Sequence, residues 1–283
     1  MAAGLDFFKP EIWAGRILKN LQNAHVYANV VNRDYEGQIK NFGDTVHINN
    51  IGRIALLTYT ANSNLTAPET LTSFQTNLVI DQGKAFNFQI DDVDAVQAKP
   101  KLLDEAMREA AYTLAENADD YLAGILTANT TNVLYATGAS KPTSDTAYEW
   151  LVDAGVKLDE SNIPSNDRFV VVPSWYHGLL LKDDRFVTYD KVGNVITNGA
   201  VGEAAGFKIY KSNNVPSEGV ATYKLTAGHK MAATYAEQIS KVVTYEQELR
   251  FNTAVKGLHL YGAKLVRDEA LCTIIAERSG VTS

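Results

Sequence analysis

Apolar positions along the chain change their spacing several times, and each change marks a new element. In PEIWAGRILKNLQNAHVYANVVN (10–32), Ile12, Trp13, Ile17, Leu18, Leu21, His25 and Val26 recur near helical spacing. Pro10 suits a first helical turn, so the pattern predicts a helix over about 11–28. No neighbouring sequence covers the apolar face of that helix, which must dock on a remote part of the chain or on another copy. GDTVHINNIGRIALLTYT (43–60) and TLTSFQTNLVIDQGKAFNFQIDD (70–92) alternate and are rich in Val, Ile and Thr, which predicts strands, the latter folded about a turn at Gln82–Gly83. Between them ANSNLTAPE (61–69) is polar and carries Pro68, the composition of an exposed loop tip. The whole predicts a projecting ribbon whose edges need protection or a partner.

KPKLLDEAMREAAYTLAENADDYLAGILTAN (99–129) keeps a 3.6-residue period through Leu102, Leu103, Ala106, Ala110, Leu114, Ala118, Tyr121, Leu122 and Ile125. Pro100 stands at its start, and Asp104 and Glu105 lie where the helix dipole favours acids. The segment predicts one amphipathic strut of about 40 Å at 1.5 Å per residue. A Ser/Thr/Gly stretch (130–146) follows, then a helix over 148–160, the strand RFVVVP (168–173) and the helical run SWYHGLLLKDDRF (174–186). Beyond a turn-rich stretch with glycines at 193, 199, 202 and 206 comes GFKIYKSNNVP (206–216), and strand-like runs fill 231–277. Helices and strands come in blocks and do not alternate strictly, which predicts an α+β fold.

Composition excludes more than it selects. The 283 residues are 46% hydrophobic and 21% charged, ordinary for a globular chain. The net charge of -7 is concentrated in 61–130, which holds 4 bases against 11 acids, and no basic stripe is available to grip nucleic acid. Cys272 is the lone cysteine and fits a small core residue. The N-terminus carries no secretory signal pattern, and no apolar run is long enough for a membrane helix.

Candidate chemistry falls short of each template. In RFVVVPSWYHGLLLKDDRF a nucleophile elbow would place glycines two residues either side of Ser174, where Val172 and Tyr176 stand instead. Ser174 is expected to cap the following helix, with His177 along its surface and Asp183 and Asp184 at its solvated end. The rival reading from a different class is a serine hydrolase using Ser174 with His177 as base. Histidines 25, 47, 177, 229 and 259 show no zinc spacing, and DDVD (91–94) lacks the other positions of a calcium loop. GAVGEAAG (199–206) has the wrong glycine spacing for a dinucleotide turn. No catalytic residue, cofactor or metal is assigned.

The order of segments resembles the major capsid proteins of tailed bacteriophages with the Hong Kong 97-like fold. The resemblance rests on the arm helix, GDTVHINNIGRI entering an extended loop, the long helix, LDESNIPSNDRFVVVPSWYHGLLL, GFKIYKSNNVP and GLHLYGAKLVRDEAL. It implies an N-terminal arm (1–45), an extended loop (46–95), a peripheral domain with the spine helix (96–130 and 231–283) and an axial domain (131–230). It further implies a shell subunit that forms hexamers and pentamers around double-stranded DNA, in a virion assembled in the bacterial cytoplasm. Inter-subunit contacts are expected at Ile12, Trp13, Ile17 and Leu21 of the arm and at Tyr59, Leu65, Leu71 and Phe74 of the loop. Some family members crosslink a lysine of the extended loop, but Lys84 lies away from the tip and that chemistry is not assigned. An arm beginning within the first dozen residues implies either a mature chain or a separate scaffolding protein, and the start methionine favours the second; a portal and a decoration protein are further implied partners. An encapsulin-like protein compartment is the same-fold alternative.

Overall fold

The computed structural model describes residues 25–35, 43–51, 73–91, 101–128, 131–135, 141–183, 200–219, 221–246 and 252–279. At its centre, β5 (Arg168–Val172) is buried along its whole length. Phe169 and Val171 pack into one core, with Ala118, Leu122, Leu126 and Tyr235, while Val170 and Val172 pack into another, with Trp150, Leu151, Tyr176, Phe207 and Ile209. This two-residue alternation between two cores explains why the strand reads as a continuous apolar run.

β5 belongs to a mixed sheet in the order β4-β12-β9-β5-β7-β6. Its members are β4 (Val133–Leu134), β6 (Ala200–Ala204), β7 (Phe207–Lys211), β9 (Thr222–His229) and β12 (Leu271–Glu277), with the short β8 (Ser217–Glu218) paired to β9. A helix over Ser144–Glu160 and another over Ser174–Leu180 cover one face. The turn between the first of these and β5 contains left-handed Asn162 (φ 56°) and Asp167 (φ 53°). Arg168 clamps it: Nε donates to the Pro164 carbonyl at 2.9 Å, and Nη2 to the Ile163 carbonyl and the Asp159 carboxylate at 2.5 and 2.6 Å.

Two 14-residue strands, β10 (Ala233–Glu246) and β11 (Asn252–Leu265), pair antiparallel, and β3 (Gln82–Asp91) pairs with β11 to complete a second sheet. Its alternation sends Val242 and Val255 toward Met107 and Ala111 of the long helix over Lys101–Thr127. Farther along, that helix meets the mixed sheet through Ala118, Leu122 and Leu126. One amphipathic stripe thus joins both sheets, as its sequence period predicts. β1 (Thr45–Ile51) and β2 (Ser73–Val79) form a two-stranded ribbon, and Val46, Ile48 and Leu78 at its root pack with Ile80, Ala236 and Leu260. In chain order the helices are α1 (Tyr27–Val30), α2 (Lys101–Thr127), α3 (Ser144–Glu160) and α4 (Ser174–Leu180).

Several expectations are corrected. Gln82 and Gly83 do not form a turn; they pair with Tyr261 and Leu260 inside β3, and the chain changes sheets at Ile80–Asp81. α3 begins at Ser144, four residues before the expected start, because Thr143 and Thr146 make a reciprocal capping box. α4 is capped by Pro173, so Ser174 is a first-turn residue and not the cap. Asp183 is buried, not solvated. The expected arm helix over 11–28 lies outside the described residues up to 24, but His25 and Val26 are not helical and α1 starts afresh at Tyr27.

Candidate functional site

α1 restarts because a distant carboxylate accepts its first N–H groups. Asp119 of α2 accepts the backbone N–H of Val26 at 2.6 Å, Tyr27 at 3.2 Å and Ala28 at 3.3 Å, replacing a local cap. A helix running on unbroken from upstream would bond those same N–H groups to its own preceding turn. The His25 ring lies between two carboxylates, with Nδ1 3.0 Å from Asp119 Oδ1 and Nε2 3.1 Å from Glu237 Oε2. Glu237, on β10, also accepts from Tyr235 Oη at 2.8 Å, His259 Nε2 at 3.1 Å and Arg33 Nη2 at 2.5 Å. Two backbone hydrogen bonds then tie the strand-like end of the segment to β10, Asn32 N to the Ala233 carbonyl and Tyr235 N to the Asn32 carbonyl. His25, Asp119, Glu237 and His259 are all buried.

Sequence reasoning missed this anchor. Asp119 was one acid among many, and His25 was read as one position on the apolar face of the arm helix. The available signal was phase: Asp119 falls between Ala118 and Leu122 on the buried stripe, and Glu237 follows Tyr235 on the inward-facing side of β10. Acids at inward positions announce a buried partner.

The second feature is unpartnered edge. Among the described residues β3 pairs only with β11, and the β1–β2 ribbon pairs only with itself. Beside β3 an open groove of about 560 Å³ runs along α2, lined by Phe86, Phe88, Ala110 and Leu114 with Lys84 and Glu109. Ile12, Trp13, Ile17, Leu21, Tyr59, Leu65 and Leu71 lie outside the described residues. Phe74 is in β2, opposite Asn50.

Ser174 and His177 do not form a nucleophile and base. Ser174 Oγ donates to Asn213 Oδ1 at 2.7 Å, and no hydrogen bond joins it to His177. Burial and the charge of Lys211 hold the His177 ring below the ordinary histidine range, and its Nε2 meets no hydrogen-bond partner among the described residues. Burial also pushes the Cys272 thiol up to about 12, away from the reactive thiolate. Among the described residues no cluster of three or more His, Cys, Asp or Glu is placed to hold a metal, and no helix is long and apolar enough to cross a membrane.

A strut helix joining two sheets, with a ribbon rooted beside it, defines a protein of the Hong Kong 97-like fold. A chain from Mycobacterium phage Che8 matches it with a TM-score of 0.67 and 26% identity, over 88% of this chain and 90% of that one. The capsid structure of cyanophage P-SCSP1u matches with a TM-score of 0.66 and 16% identity, over 91% and 88%. A virus-like particle from Pyrococcus furiosus shares the fold more distantly, with a TM-score of 0.55 and 11% identity over 96% and 100%. No curated protein sequence matches. The model of a family described as phage capsid protein matches residues 75–274, and the chain belongs to that family. It is a structural coat protein of the virion, and self-assembly into capsid oligomers follows from that membership.

Proposed function

We propose that this chain builds the icosahedral head of a tailed bacteriophage, as hexamers and pentamers that enclose double-stranded DNA without sequence-specific contact. The family match over 75–274 carries this reading. The β3 edge, which has no strand beside it among the described residues, and the two-stranded ribbon support it, since such edges are liabilities in a solitary subunit and contacts in a shell. The excess of acids over bases suits a wall that holds DNA without gripping it. In this reading residues 1–45 form the arm, 46–95 the extended loop, 96–130 with 231–283 the peripheral domain and 131–230 the axial domain. A separate scaffolding protein, a portal and a decoration protein are the further partners, and assembly takes place in the host cytoplasm. The role is structural, with no catalytic step.

Electron microscopy of the purified chain, expressed alone and with candidate scaffolding proteins, tests the proposal. Closed shells or capsomers are expected, and a monomer under every condition overturns it. The protein-compartment alternative draws on the likeness to the Pyrococcus furiosus particle and predicts small shells with protein cargo. Shells from an infected lysate filled with DNA decide against it.

A further inference from the structure

The contacts of His25 set a requirement on its protonation. A carboxylate only accepts hydrogen bonds, and both ring nitrogens of His25 face one, at 3.0 and 3.1 Å. Both contacts are hydrogen bonds only when both nitrogens carry a proton. Remove one proton and a lone pair is directed at a buried carboxylate. Because the two carboxylates belong to α2 and β10, the ring bridges separate elements that the 25–33 segment must touch together.

We propose that residues 25–33 form a proton-dependent latch, in which protonated His25 holds this part of the N-terminal arm against α2 and β10 and releases it on deprotonation. The charged and titratable groups facing the latch come from each element packed on it. The segment itself supplies His25, Tyr27 and Arg33; α2 supplies Asp119, with Asp120 near Tyr27; β10 supplies Tyr235 and Glu237; β11 supplies His259. With His25 charged, two cations, His25 and Arg33, face the two carboxylates Asp119 and Glu237. Without that charge one carboxylate is left uncompensated in a buried site, a costly arrangement. Asp119 also caps α1, so weakening its hold on His25 loosens the N–H groups of Val26, Tyr27 and Ala28 as well.

Burial disfavours the charged ring, but hydrogen bonds to Asp119 and Glu237 and their negative charges outweigh it and raise the His25 pKa from 6.5 to about 9. The latch is therefore fully closed below about pH 6.5 and opens as the pH rises through 9. This device belongs to the folded subunit and does not depend on the shell reading.

Hydrogen exchange of the full-length chain, followed by mass spectrometry on peptides covering 25–35 and corrected for the intrinsic rate, tests it. Protection at 26–28 is expected to fall about tenfold or more between pH 7 and 9.5, while β9 and β12 keep theirs. His25→Gln should show low protection at 26–28 at every pH, and Asp119→Asn should move the midpoint to lower pH. Constant wild-type protection, a parallel loss across β9 and β12, or an unchanged pH response in His25→Gln each overturns the latch.

Discussion

Gly262 of β11 lies directly against the backbone of Ile80, where the chain passes from the ribbon to β3. A Cβ at Gly262 would sit 2.3 Å from the Val79 carbonyl oxygen and 3.1 Å from Ile80 Cα. Those are backbone atoms of a segment already held by Ile80 N to the Asp44 carbonyl and Gly43 N to the Ile80 carbonyl, so they cannot yield cheaply. Gly262→Ala is expected to destabilise by about 1–3 kcal/mol through overpacking. Gly257 offers the control, because the three atoms nearest a Cβ there all belong to the Phe86 side chain, which lines the open groove and can shift more easily than backbone. Urea unfolding of the two variants should show the larger loss at Gly262, and equal losses would remove the backbone contact as the cause.

The opposite pH limit comes from Glu237. Burial works against its charge, but hydrogen bonds from His25 and His259 and the positive charge of His25 hold the carboxyl far below its ordinary 4.5. The sign is that of a depressed acid: its stabilisation is present above about pH 4.5 and is lost as the pH falls below it. Unfolding midpoints measured from pH 6 down to 3 are expected to fall, and Glu237→Gln should flatten that slope. The same variant should cost about 3–5 kcal/mol at pH 7, because it leaves the buried His25 cation and the partly buried Arg33 without this partner.

How much of this was legible depended on whether a feature was local. The strut helix declared itself because a single 3.6-residue period runs through it, and β5 because a short β-branched apolar run ends at Pro173. The start of α3 was obscured by Thr143 and Thr146, polar residues that interrupt the apolar pattern because they cap the helix. The sheet change at Ile80–Asp81 was hidden for a different reason: β2 and β3 both alternate, and a period of two carries no information about which strand is the partner. The arm anchor joins residues 94 and 212 positions apart, so no local pattern could assemble it.

Ser174 gives a test of the structural reading of α4. Its hydroxyl is exposed and bonds Asn213, and it does not cap the helix. Ser174→Ala is therefore expected to change stability by no more than about 0.5–1.5 kcal/mol, the ordinary net worth of one hydrogen bond. Esterase assays with short acyl esters should give the same background rate for both chains. Activity in the parent that vanishes in the variant would reinstate the hydrolase.

The ribbon can be separated from the subunit's stability because its root and its tip have different work. Val46, Ile48 and Leu78 fix the root against Ala236 and Leu260, whereas the last described β1–β2 pair is Ile51 with Ser73. Deleting 58–72 leaves 52–57 to join the Cα partners Ile51 and Ser73, a span within the ordinary length of connections between elements. The root core keeps every member, so the circular dichroism and the unfolding midpoint of the deletion should stay close to those of the parent. Assembly should fail or be misdirected, since the removed residues include Tyr59, Leu65 and Leu71, the proposed contacts with a neighbouring copy. Sedimentation of parent and deletion side by side checks this, and normal shells from the deletion would show that the ribbon tip takes no part in assembly.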